Sequence, residues 1–586
     1  MRKLPLLIAA IICFVLFGFT LNYGWATMYT VCASGCDETT IQAVFANDLA
    51  PNDVIEVRAG SPGGTVTFRE QITWGSDDDG TSGNNVVIQG RSGDTVIISG
   101  SDLTTGWSQY LATNIYSAAC TVTTKQVLED AVRLIEIEWD TDIATTAAAM
   151  SAGEWSLDDA NNLLYVWATD NADPDTHTML VATRQYGIDM DNNDYITITN
   201  LTFKESNRAG IYVGGDGHTI SYNTFLWGTF NAIESEYAAE DAQQSVTIEH
   251  NTISWYGGNG ILMTNGCANW TIQNNTIFRN GQTESVPLGA NNYHTHNAGI
   301  YIYSDAYING PHIVQYNIVY EQGLQPGDSY KTTNTGHGIW SDTQGNTYAD
   351  KVTIRYNKVY SGVKNGIFLE KVWYNDVYYN IVYDNQWHGI RGDGTQGAGN
   401  STFGENKIYN NTIYENGQAD QSSHGEIYIQ GGDGGVNDSC VNNVVKNNIM
   451  NRAVGLVFGM GDGCQNDDTQ GYGNIYLNNS MGAERANFII FNGYKSTYDT
   501  WETAYGGTTS SVESDPLMTD PATDDFTLQS NSPAIDAGVD VGLTEDYFGM
   551  PIRGLPDIGF YEYQPATRPG SGVIILGDPG GIEIIN

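Results

Sequence analysis

From about residue 195 to residue 480 the chain alternates short apolar runs with isolated asparagines. One unit recurs: an alternating strand, an Asn, then a second short apolar strand. It reads ISYNTF around Asn223, IEHNTI around Asn251, IQNNTI around Asn275 and VQYNIV around Asn317. It continues as IRYNKV around Asn357, VYYNIV around Asn380, IYNNTI around Asn411 and VKNNIM around Asn448. The spacings between these asparagines are 28, 24, 42, 40, 23, 31 and 37 residues. The short ones define a coil of 23–24 residues, and the long ones are that coil plus a loop. A second element is interleaved: a Gly followed by an alternating apolar strand, at Gly210, Gly260, Gly299, Gly338, Gly366, Gly389, Gly425 and Gly455. Each coil therefore holds three short strands. One coil cannot bury its own apolar face, so the coils must stack. Stacked Asn side chains at one corner can then hydrogen-bond along the stack. Propeller blades need about 40–45 regular residues, which the spacings do not show. Two-residue hairpin turns between long strands are not the rule either. The pattern predicts an all-β solenoid.

Residues 105–185 break the repeat. Val132–Ile137 and Leu163–Trp167, with Gly153–Asp158 between them, predict a small antiparallel β insertion. Trp155 and Trp167 either fill its small core or offer rings to a sugar. Ala144–Ala149 adds one helical turn. Before the repeats, Thr40–Ala43 reads as a short capping helix and Asp53–Val57 as a first strand. At the start, Arg2 and Lys3 precede the apolar run Leu6–Phe19, and Gly24-Trp25-Ala26 supplies small residues. This predicts an export signal cleaved after Ala26. The run is shorter than the ~20 residues of a membrane-spanning helix. The expected organisation is 1–26 signal, 27–104 cap and first coils, 105–185 insertion, 186–510 main solenoid, and 511–586 C-terminal capping segment and tail.

Composition sharpens the picture. With 68 acidic against 25 basic residues the formal net charge is −43, which excludes nucleic acid and anionic membranes as partners. An apolar share of 40% excludes wholesale disorder. Six cysteines lie outside the signal. Cys32 with Cys36, and Cys440 with Cys464, are expected as disulfides of an exported protein, and Cys120 and Cys267 as lone buried thiols.

Candidate chemistry gathers on the Gly-Ile strand. Its Ile points inward, so residues two and four past the Gly are expected to face solvent. The first column reads Leu262, Tyr301, Trp340, Phe368, Arg391 and Tyr428; the second Thr264, Tyr303, Asp342, Glu370, Asp393 and Gln430. Tyr301, Tyr303, Trp340, Phe368 and Tyr428 are the candidate substrate platforms. Asp342, Glu370 and Asp393 recur at the ~4.8 Å spacing of neighbouring strands. Carboxylates that close form either a hydrolytic pair or a calcium site, and calcium is the one cofactor considered, with no organic cofactor. His337, His388 and His424 each directly precede the Gly, and His294 and His296 lie in the loop before Gly299. Each such His is either a proton carrier or a turn residue stacking on the next coil. The long loops 279–298 and 321–337 enter the same strands, the second carrying Lys331. The candidate catalytic set is His388, Arg391, Asp393, Glu370, Lys331 and His337, centred on the coil of His388, Arg391 and Asp393.

The repeats, together with the tail segments Ser532–Gly538 and Pro556–Glu562, resemble the right-handed parallel β-helix superfamily, which includes pectate-lyase-like enzymes. The resemblance implies a right-handed parallel β-helix with a substrate groove on the Gly-Ile face. It also implies a secreted or cell-surface protein, or a periplasmic one, that cleaves a polysaccharide or oligosaccharide. As a lyase, Arg391 or Lys331 would neutralise a uronate; as a hydrolase, two of the three carboxylates would act. The Ser-Lys-Ser strand of lyases in this superfamily is absent. The alternative is a non-catalytic glycan-binding or adhesion protein. The chain is expected to act as a monomer, away from the membrane once the signal is removed.

Overall fold

The computed structural model describes residues 26–565 except 112, 141, 237–242, 265, 282–296, 305–309, 325–335, 344–350, 395–401, 421, 432–438, 453, 462 and 466–470. The export signal, Lys331, His294 and His296 thus lie outside the described residues. Three long sheets run the length of the molecule, one for each strand of the coil. Strands before the Asn build a 13-stranded sheet from Met28–Val31 to Ile475–Leu477. Strands after it build an 11-stranded sheet from Thr65–Phe68 to Ile449–Asn451, and the Gly-Ile strands a 13-stranded sheet beginning at Ile72–Thr73. Pairing is parallel and coil follows coil in order, until the last pair, Ile489–Ile490 with Tyr494–Lys495, turns antiparallel. Inside, like stacks on like: Ile198, Ile220, Ile248, Ile272, Val314, Ile354, Val377, Ile408 and Val445 share one fully buried row.

The Asn corner forms for a local reason. The residue before each ladder Asn is left-handed, with φ of 56° at Tyr222, His250, Asn274, Tyr316 and Tyr356. That conformation costs about 1–2 kcal/mol for an L-residue. The ladder offsets it. The Asn251 side chain accepts the Asn223 backbone N–H at 2.9 Å and donates to the carbonyls of Ile220 and Glu249. The same bonds repeat from Asn275 through Asn448 to Asn479, one coil beyond the last copy read from the sequence. Shorter ladders occupy other corners, such as Asn375–Asn406–Asn443–Asn474.

The ends are closed differently. A short 3-10 helix, Gln42–Ala46, buries Val44 over the first coil. At the far end α1, Tyr498–Tyr505, is capped by the Thr497 side chain and stopped at left-handed Gly506 (φ 85°). It buries Tyr498 and Trp501 over the last coil. In the described part of the tail, Phe526, Leu528, Ile558 and Phe560 pack along the flank, against Tyr378, Tyr379, Tyr383 and Tyr409.

The insertion is two small sheets, one four-stranded and antiparallel, the other five-stranded and mixed, plus the helix Ile143–Ala149. Trp155 fills its core at 1% exposure, while the Trp167 indole donates to Asn171. Arg133 fastens the insertion to the solenoid by donating to the carbonyls of Gly228 and Trp255. Cys32–Cys36 and Cys440–Cys464 are disulfides, and Cys120 and Cys267 are free and buried.

Candidate functional site

The register of the Gly-Ile sheet places both columns as alternation demands. Leu262, Tyr301, Trp340, Phe368, Arg391, Tyr428 and Gly459 are successive partners. So are Tyr303, Asp342, Glu370, Asp393 and Gln430. Their exposure corrects the expectation of open aromatic platforms. Tyr301, Trp340 and Phe368 are 2%, 3% and 8% exposed and form a small second core with Leu262 and Ala298. Their ring centroids lie 4.6–5.1 Å apart, because neighbouring strands set large rings close enough to cover one another. Among the described residues the open part of the face lies further on, at Trp387, Arg391, Tyr428 and Gln430, all half-buried. Tyr303 is also half-buried.

The histidines follow the turn-residue reading. Asn365 Nδ2 and His337 Nδ1 are 3.3 Å apart, the His388 N–H donates to Asn365 Oδ1, and the Gly425 N–H donates to His388 Nδ1. This is another ladder of the Asn type, with imidazoles standing in for two amides. Burial, then the neighbouring Arg391 and His424, hold the His388 pKa well below its ordinary value. A neutral ring whose Nδ1 is already an acceptor is not the mobile proton carrier expected at this position; it positions Tyr428, on which it stacks at 4.9 Å. His337 stacks on Phe368 at 4.9 Å.

The carboxylates carry the electrostatics. Asp342, Glu370 and Asp393 are 7%, 8% and 5% exposed. The Tyr301 hydroxyl donates to Asp342 Oδ2 at 3.1 Å. Arg391 and Gln430 both donate to Asp393. Glu370 sits between, with Lys371 Nζ at 4.0 Å. Burial, and after it the charge of Asp342, pushes the Glu370 carboxyl up to about 8. A calcium site needs six or more oxygens. Among the described residues these three do not form a group whose oxygens all lie within 4.8 Å of one another, and the segments 344–350 and 395–401 beyond Asp342 and Asp393 lie outside the described residues. Arg391 already neutralises one of them.

A family model described as a right handed beta helix region matches residues 186–346. Among solved structures, XylC in complex with xylose superposes with a TM-score of 0.57 at 13% identity, over 92% of this chain and 98% of that one. The chain is a right-handed parallel β-helix. Looser likenesses are to a glycoside hydrolase (TM-score 0.42, 10% identity, 86% of this chain and 99% of that one) and to the A-module of the mannuronan C-5 epimerase AlgE6 from Azotobacter vinelandii (0.43, 12%, 78% and 91%). None of the curated proteins matches the chain.

Two residues of the β-helix site escaped the sequence reading. Lys364 is 4% exposed, and its Nζ lies 3.2 Å from the centre of the Trp387 ring. Burial, then repulsion from Arg391, lowers its pKa to about 8. His424 stacks on the same indole at 4.9 Å. Lys364 and Trp387 both stand two residues before the strand Gly, so a column read at that position would have paired them. The arrangement brings together a carboxyl with a raised pKa, Glu370, a neighbouring carboxylate bound to a guanidinium, Asp393, and an amine whose pKa is lowered to about 8, Lys364. Lys364 and Glu370 share one coil and Asp393 lies on the next.

Proposed function

We propose that this β-helix is an exported enzyme that hydrolyses a polysaccharide on its Gly-Ile face, with Glu370 as general acid and Asp393 as the second carboxylate. The observation that carries the reading is the place of Glu370 between two other buried carboxyls, Asp342 and Asp393, where burial and like charge raise its pKa, since a glycosidic oxygen needs a proton at the moment its bond breaks. Glu370 would protonate the leaving oxygen. Asp393, oriented by Arg391 and Gln430, would attack the anomeric carbon or support the positive charge that develops there. The two are register partners on neighbouring strands of the same face. Tyr428 offers a half-buried ring to the sugar. Disulfides at Cys32–Cys36 and Cys440–Cys464 support action outside the cytoplasm.

Lys364 favours a second reading. An amine with a pKa of about 8 is a competent base, and Arg391 beside it suits a uronate carboxylate, as β-elimination requires. One experiment separates the two. The secreted protein is incubated with a panel of neutral and uronate glycans, and the products are assayed for reducing ends and for ultraviolet absorbance of an unsaturated sugar. New reducing ends without that absorbance, abolished in Glu370→Gln, support hydrolysis. Unsaturated product supports elimination. Binding without turnover leaves a glycan-binding module.

A further inference from the structure

The Gly-Ile face is not open along its whole length. Among the described residues it changes character at Phe368. On the earlier coils Leu262, Tyr301, Trp340 and Phe368 are buried, and the three rings cover one another at centroid distances of 4.6 and 5.1 Å. His337 closes the same cluster, 4.9 Å from Phe368 and 4.7 Å from Trp340, and half-buried Tyr303 packs against it. The second column is closed there as well. Thr264 is buried with its Oγ1 2.9 Å from Ser235 Oγ, and Asp342 is buried under the Tyr301 hydroxyl. On the later coils the face opens at half-buried Arg391, Tyr428 and Gln430. The following coil brings Gly459 opposite Tyr428. A Cβ there would collide with the Tyr428 ring, and one on Gly461 would meet the Gln430 Cβ at 2.8 Å. The two glycines therefore let Tyr428 and Gln430 lie across the next coil and lengthen the open stretch.

We propose that the enzyme acts on chain ends: a glycan lies over the later coils, its terminal sugar stops against Phe368 and Trp340, and hydrolysis releases a short piece of fixed size. This rests on the hydrolytic reading of Glu370 and Asp393. Position argues first. Phe368 stands two residues before Glu370 on the strand Ile367–Glu370 and belongs to the closed cluster. Its partner on the next strand is Arg391, with which the open stretch begins, and Asp393 is the partner of Glu370. The two carboxyls thus stand at the boundary, and a bond held between them has room for a chain on one side. Reach argues second. An internal cut needs sugars bound on both sides of the bond. On the earlier side the first column is closed from Leu262 to Phe368, three strand spacings or about 14 Å. Cost argues third. Clearing that column for a sugar would expose four large apolar side chains at once, which burial opposes. Each event consumes one water: its hydroxyl goes to the anomeric carbon, and the leaving oxygen takes a proton. Phe368 and Trp340 then set the length of the released piece without touching the reacting atoms.

The test uses the full chain and the polymer from the glycan panel that it hydrolyses. Products are sized by chromatography from the earliest measurable turnover, with viscosity recorded in parallel, and the rate is measured on oligosaccharides of increasing length. One short product from the outset, with viscosity almost unchanged and a rate that levels off once the open coils are filled, is the expected result. A spread of intermediate sizes with an early fall in viscosity overturns the proposal and leaves hydrolysis standing. A panel in which nothing is hydrolysed overturns both. Phe368→Ala shortens the wall and should lengthen the released piece, with its melting curve checking that it folds. Phe368→Leu, which keeps an apolar side chain, gives the same readout should the alanine variant not fold. A folded variant that releases the wild-type product overturns the assignment of the wall.

Discussion

Replacing Glu370 with Gln is the most informative perturbation, because it keeps the shape and removes the ionisation. The carboxyl is raised from 4.5 to about 8 by burial and by Asp342. A raised folded pKa contributes stability that is fully present below pH 4.5 and declines until the pH passes about 8. The full span of 3.5 units corresponds to about 5 kcal/mol. Between pH 6 and pH 9 the share lost is about 3 kcal/mol, from two units at 1.36 kcal/mol each. The wild-type chain should therefore lose about that much stability relative to Glu370→Gln across this interval. Glu426 and Asp557, each raised to about 7 mainly by burial, titrate in both proteins and cancel in the difference. Denaturant unfolding of both proteins at pH 6 and pH 9 measures it. On a substrate found by the glycan panel, the variant should also lose about a hundredfold or more in turnover. Wild-type turnover should fall as the pH rises through 8, as the acid loses its proton. Parallel stability curves for the two proteins would refute the argument: Glu370 would then be ionised at neutral pH and unable to act as the acid.

Other outcomes follow from the same packing. Trp340→Ala opens the aromatic core beside Tyr301 and Phe368, so it should cost about 3–5 kcal/mol by denaturation; a stable variant that fails only in glycan binding would restore the platform role. Asn357→Ala leaves the Asn317 N–H and the carbonyls of Val314 and Arg355 without their partner inside the solenoid, and should cost about 2–4 kcal/mol in unfolding experiments. Chelation should leave glycan turnover unchanged, since a proton on Glu370 and the Arg391 guanidinium already offset the column's charge; activity lost to chelator and restored by calcium would assign the column to that metal. Lys364→Met should preserve folding and leave hydrolysis within about tenfold, whereas an elimination enzyme would lose about a hundredfold or more.

How much of this was legible in the sequence depends on the kind of constraint. A side chain in a strand has two faces to choose from, so alternation alone assigned the two columns from Tyr301 to Tyr428 and from Tyr303 to Gln430. Parallel in-register stacking then made the order along the chain the order in space. The Asn ladder was legible because a left-handed corner with buried carbonyls accepts few side chains, and the same amide answers it in every coil. Cysteine spacing offered the two disulfides as candidates, and only the structure set their pairing. Solvent access, in contrast, depends on everything packed above a strand, and no periodicity reports that. Hence rings expected to meet sugar are buried against one another, and the described part of the tail lies on the flank. The role of His388 was equally hidden, since its lowered pKa comes first from burial, which only the stacked coils impose. Protonation was the last thing the sequence left open. Three carboxylates in a row are readable as letters, but the pKa of Glu370 is raised because folding buries it beside Asp342. Desolvation and distance exist only in the tertiary structure.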